Sequence, residues 1–158
     1  MGSPGEHTFT TEVDPATGSA VTTEFDSDGT VVSTTTTTLD GNRTVEFAPD
    51  DEGKVLFVED GRETDPFGVT STFHIERVAR ADGSSSFTRT DDQDDGSTIS
   101  TEGGTDAEGN SSVSSRTTRA DGSVVLTTRT TGPDEHGTEH VTVLDPDGTV
   151  VSDNTTDF

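Results

Sequence analysis

The sequence contains no cysteine, no tryptophan and no tyrosine, and its single methionine is the first of 158 residues. Without cysteine there is neither a disulfide framework nor a thiolate zinc site, and thiol chemistry is excluded. Large apolar side chains are scarce too: Val, Leu, Ile and Phe together make up about a fifth of the chain. At that level, combined with a high net charge, a chain cannot bury enough apolar surface for a large core. No apolar run approaches the roughly 18 residues of a membrane helix, and no basic start followed by an apolar stretch is visible near the N-terminus. Membrane insertion is therefore not expected. There is no G-x-S-x-G motif and no glycine loop leading into a helix, so nucleophilic catalysis and phosphate cradling have no foothold. We expect a protein that is not an enzyme.

Positive charge is the next scarcity. Nine Lys and Arg residues face 32 Asp and Glu, a formal net charge of −23, and Lys54 is the only lysine. Nucleic acid is excluded as a partner, because phosphate neutralisation needs a basic stripe and these cations are scattered. Such a chain repels itself when compact. Salt relieves the repulsion, the Debye length falling from about 10 Å at 0.1 M to about 3 Å at 1 M. Cations are thus expected partners, and the composition resembles that of proteins working in concentrated salt.

What the chain does have is a repeat. Glycine, usually after Asp or Glu, recurs at positions 18, 29, 41, 53, 61, 83, 96, 109, 122, 137 and 148, with a strict spacing of 13 between Gly83 and Gly122. The unit reads x-Asp-Gly-(Thr/Ser)-x-Val-x-Thr-Thr and is clearest at Asp28–Thr35, Asp121–Thr128 and Asp147–Ser152. Thr (32 residues) and Val dominate the flanks; both are β-branched and stiff at χ1, which favours strands over helices. Asp-Gly reads as a two-residue hairpin turn with positive φ at both positions. Alternation agrees: Arg43, Val45 and Phe47 oppose Asn42, Thr44 and Glu46. Short connections imply antiparallel neighbours, since parallel pairing needs a long crossover.

The predicted fold is all-β: an antiparallel up-and-down meander of about 10–12 short strands, in a curled or closed sheet with a thin core. A β-solenoid is the alternative reading of the period. Phe9, Val13, Val21, Phe25, Val45, Phe47, Phe57, Phe73, Ile75, Val125, Val141 and Val143 are the expected members of one narrow core. Residues 1–158 read as one domain, with 84–118 its most polar and, by expectation, most mobile part.

Two motifs carry candidate chemistry. His136-Gly137-Thr138-Glu139-His140 spells H-x-x-E-H, which needs a helix to bring both His and the Glu to one zinc ion; here Val141-Thr142-Val143 follows in strand pattern, so surface imidazoles are expected. The acidic turns are the better case. Asp26-Ser27-Asp28-Gly29 and Asp145-Pro146-Asp147-Gly148 repeat D-x-D-G, and Asp91, Asp95 and Glu102 fall at positions 1, 5 and 12 of a calcium loop. Asp26, Asp28, Asp91, Asp95, Glu102, Asp145 and Asp147 are accordingly the candidate calcium ligands. All three Asn residues, Asn42, Asn110 and Asn154, lie in glycosylation sequons, which favours an extracellular or cell-surface location.

Residues 25–33 (FDSDGTVVS) and 144–152 (LDPDGTVVS) resemble the aromatic-Asp-x-x-Gly-x-hydrophobic core of YD repeats, the Rhs-type hairpin units. The resemblance implies strand-turn-strand geometry in the manner of curled sheets from bacterial surface, toxin-encapsulating and adhesion proteins. It carries no catalytic residue. The functional expectation is an acidic, salt-tolerant structural or adhesive β-repeat module that associates with its own kind through sheet edges, the alternative being a module whose acidic turns order on calcium.

Overall fold

A computed structural model describes residues 6–158. Twelve strands follow one another: β1 (Thr8–Val13), β2 (Ala20–Phe25), β3 (Val31–Thr37), β4 (Arg43–Phe47), β5 (Val55–Thr64), β6 (Thr70–Ala79), β7 (Ser85–Gln93), β8 (Thr98–Thr105), β9 (Ser111–Thr118), β10 (Val124–Thr131), β11 (Gly137–Leu144) and β12 (Val150–Asp157). They form a single sheet whose spatial order is the sequence order, every neighbouring pair antiparallel. The meander is therefore as the Thr-rich, β-branched sequence predicts. It is open, however: β1 and β12 lie at opposite edges, so the sheet does not close into a barrel. The antiparallel reversals also replace the solenoid alternative.

Ten of the eleven reversals are built from four residues and the first, Asp14–Gly18, from five, which corrects the two-residue turn read from Asp-Gly. In Asp26-Ser27-Asp28-Gly29 the Gly29 N–H donates to the Asp26 carbonyl at 3.1 Å, and the Asp26 N–H donates to the Thr30 carbonyl at 2.9 Å. This is a type I turn closed by a glycine bulge, and only the glycine needs positive φ (81° at Gly29). Beyond the turn the ladder holds a second bulge, Phe25 pairing with Val31 but Glu24 with Ser33. The same bond pattern recurs at Asp65–Gly68, Arg80–Gly83, Asp106–Gly109, Arg119–Gly122 and Asp145–Gly148. At Gly132-Pro133-Asp134-Glu135 the bulge position is held by Glu135, at φ 65°, the one described non-glycine residue with positive φ.

Contacts between described strands join sequence neighbours alone, so no second layer covers either face. The accessible surface, 10290 Å², compares with about 7,500 Å² for a compact globular chain of this mass. The single narrow core expected from the sequence is accordingly absent. Among the described residues Val45, Ile75 and Val124 are the buried hydrophobics, while Phe9 and Val13 are 62% exposed. Facing registers explain the split. Thr35, Val45 and Val58 are consecutive ladder partners and share one face, here face A, which by the same chain of partners carries Thr11, Glu76, Glu102, His140 and Thr155. Ile75, the direct neighbour of Glu76 in sequence, lies on the opposite face B with Phe73, Phe87 and Ile99. The apolar residues are divided between two faces, each shielded only by side chains beside it.

Glycine inside the strands serves this in-plane packing. Gly103 is the ladder partner of Phe87, and a Cβ at Gly103 would lie 2.9 Å from the Phe87 ring and 2.7 Å from the Ser112 carbonyl oxygen. Phe73 covers its own partner Gly61 in the same way, 2.6 Å from the place of the missing Cβ. A phenyl ring thereby finds apolar contact in a sheet without a second layer.

Residues with a Cβ pay about 1–2 kcal/mol in the left-handed region. Replacing Glu135 by Gly is expected to raise the unfolding free energy by up to about 1 kcal/mol, the freer unfolded chain taking back part of the gain. Chemical denaturation of the two proteins checks this, and an unchanged or lowered midpoint contradicts it.

Candidate functional site

The turn carboxylates are the most regular chemical feature, and they work as backbone caps of two kinds. In the first, Asp opens the turn: Asp26 Oδ1 accepts the N–H groups of Asp28 and Thr30, both at 2.9 Å, and Asp145 Oδ1 accepts those of Asp147 at 3.0 Å and Thr149 at 2.8 Å. Asp50, Asp65 and Asp106 repeat this pair of bonds. In the second kind, Asp precedes the glycine and caps the residue after it: Ser84 by Asp82, Ser97 by Asp95 and Ser123 by Asp121, at 2.8–2.9 Å. These caps satisfy turn N–H groups that the ladder leaves free. The Ser97 hydroxyl and its N–H hold the Asp95 carboxyl below its ordinary range, and Asn110 does the same for Asp106.

The candidate calcium ligands are not brought together. Asp26 and Asp28 lie in the β2–β3 turn and Asp145 and Asp147 in the β11–β12 turn, at opposite ends of the strands and near opposite edges of the sheet. Within the 91–102 segment, Asp91 is the ladder partner of Ile99 on face B, whereas Glu102 partners Thr88 on face A. Asp95 sits in the intervening turn, bonded to Ser97. Among the described residues no group of three or more His, Asp or Glu side chains has a metal-holding arrangement.

Asp91 has a different partner. It is 5% exposed, and its two carboxylate oxygens accept from Arg89 Nε at 3.0 and 2.8 Å while Arg89 Nη2 reaches Oδ1 at 2.6 Å. The same guanidinium bonds Glu63 and lies over the Phe73 ring, 5.2 Å from its centroid. The two carboxylates raise the Arg89 pKa further, Asp91 contributing most. A buried carboxylate on an uncovered sheet is thus paired with one cation that itself lies over a phenyl ring.

Face A carries three imidazole–carboxylate pairs, His7–Glu24, His74–Asp60 and His140–Asp153, each at 2.6 Å. Glu76 also approaches His74 Nε2, at 3.6 Å. Asp60, aided by Glu76, raises the His74 pKa above 6.5. The H-x-x-E-H segment lies partly on β11: His140 is on face A, Glu139 on face B opposite Arg129, and His136 in the preceding turn. The extended backbone keeps the three side chains apart, as the strand pattern predicts.

The remaining candidate surfaces are the two sheet edges, β1 and β12. β1 is exposed throughout, and β12 is exposed except at Ser152. No described helix is long and apolar enough to cross a membrane. The chain matches no protein-family model, and no curated protein matches it.

Two outcomes test this electrostatic reading. Substituting Arg89 by Met leaves Asp91 buried without a cation; because the guanidinium is 30% exposed, the expected loss is about 2–3 kcal/mol, below the 3–5 of a fully enclosed pair. Urea unfolding measures it, and the double variant Arg89→Met/Asp91→Leu should regain most of the loss. For His74, a raised folded pKa means that its stabilisation is complete below pH 6.5 and is lost as pH rises through the folded value. The melting-temperature gap between the wild type and His74→Gln should be widest below that pH and close on the alkaline side. A gap that widens with pH contradicts the assignment.

Proposed function

We propose that this chain is a non-enzymatic structural or adhesive β-repeat module that lengthens by pairing with its own kind along exposed sheet edges in a salt-rich medium. The observation that carries the reading is the open twelve-stranded sheet whose end strands, β1 and β12, each have a partner on one side only among the described residues. An unpaired strand edge presents a row of N–H and C=O groups and is a template for another strand. The charge of −23 keeps such edges apart in dilute solution. Cross-strand hydroxyl pairs suit a scaffold exposed on both faces: Thr11 with Thr22 at 2.9 Å, and Thr130 with Thr138 at 3.0 Å. The likeness of residues 25–33 and 144–152 to YD repeats supports a hairpin-building role at a cell surface. The turn carboxylates support it as well, since their oxygens are engaged in closing hairpins.

Light scattering across a sodium chloride series should show mass rising with salt, and a monomer at every salt concentration contradicts the proposal. Repeating the series with calcium at matched ionic strength separates screening from cation binding. Equal responses are expected, whereas ordering at sub-millimolar calcium alone would favour the calcium-binding reading.

A further inference from the structure

The hydrogen-bonding parity of the two edges determines how copies can join. At β1, the Asp14 N–H donates to the Ser19 carbonyl, so Asp14, Glu12, Thr10 and Thr8 direct their backbone groups inward to β2. His7, Phe9, Thr11 and Val13 direct theirs outward. At β12, Phe158 and Gly137 exchange both bonds, at 3.0 and 3.1 Å, so Thr156, Asn154 and Ser152 face inward to β11. Asp153, Thr155 and Asp157 face outward, and a β-bulge at Val150–Val151 interrupts the regular ladder before them. Both outward sets carry their side chains on face A, because Thr11 and Thr155 are joined by an unbroken chain of ladder partners. With twelve strands, β12 also runs antiparallel to β1. A second copy set beside the first in the same orientation therefore meets both requirements of an antiparallel ladder, opposite strand direction and matching faces.

Resting on the self-association reading, we infer that copies of this chain join head to tail, β12 of one pairing with β1 of the next in the register Asp157 opposite His7, Thr155 opposite Phe9 and Asp153 opposite Thr11. Charge selects this arrangement. It places the Asp157 carboxylate against an imidazole and Asp153 against a hydroxyl. On face B, Glu12 meets Ser152. Sliding the pairing by two residues would set Asp157 against Phe9 and Asp153 against Val13. Pairing β12 with a second β12 gathers the Asp153 and Asp157 carboxylates of both copies, and pairing β1 with a second β1 sets no acid opposite His7 and leaves β12 open. The heterologous contact uses both edges and does not close, so it generates a ribbon rather than a dimer.

The absence of cysteine makes the register directly readable. Thr10 and Asn154 become opposed residues of a non-hydrogen-bonded pair, about 4.5 Å apart at Cα and within disulfide reach. Single variants Thr10→Cys and Asn154→Cys, mixed at a salt concentration where the unsubstituted protein associates and then mildly oxidised, are expected to give the mixed disulfide. Glu12→Cys mixed with Asn154→Cys, two residues out of register, is expected to give little. Predominant Thr10→Cys or Asn154→Cys homodimers would overturn the head-to-tail assignment in favour of two-fold pairing. Equal linkage of the shifted pair would overturn the register, and association of the unsubstituted protein without any disulfide would overturn both while sparing edge association elsewhere. A protein that light scattering finds monomeric at every salt concentration would remove the underlying reading itself.

Discussion

Every described strand touches only the strands next to it in sequence, and the rest of the structure depends on that constraint. With no second layer, cohesion comes from the backbone ladder and from side chains in the plane of the sheet. The turns therefore do more than connect. Each sets the register of a strand pair that no opposing layer would correct, and a slip of one residue would exchange the two faces. Asp carboxylates on turn N–H groups and glycine at the bulge make that register local, hairpin by hairpin. Such a sheet is close to one-dimensional, its stability a sum over neighbouring pairs.

Much of this was legible. Glycine spacing announced the reversals, and Thr and Val between them announced the strands, because both signals are local. The turn chemistry was read only in part. Asp-Gly drew attention to Asp28 and Asp147, whereas the residues that cap their turns are Asp26 and Asp145, two positions earlier. Where the first turn position is Arg or Gln, as at Arg80, Gln93 and Arg119, the Asp before glycine takes over the capping. A D-x-x-G pattern would have distinguished these two classes.

The core and the acidic site were less legible because both depend on register across several turns. Val45 and Ile75 each belong to an alternating strand, yet they lie on opposite faces, and nothing local to either strand says so. Asp91 and Glu102 have calcium-loop spacing in sequence, but the hairpin between them places them on opposite sides of the sheet. The Arg89–Asp91 pair was missed for a related reason. Two residues apart on one strand, they meet on one face, and Phe73 and Glu63, from the two preceding strands, complete their surroundings.

Hydrogen exchange on the intact chain, resolved by residue in concentrated salt, tests neighbour-only cohesion most directly. The account predicts graded protection: lowest in β1 and β12, rising strand by strand, and highest in the ten-residue β5 and β6, where Ile75 is buried. A single common opening free energy for all twelve strands would contradict it, because that result requires a shared core holding distant strands together.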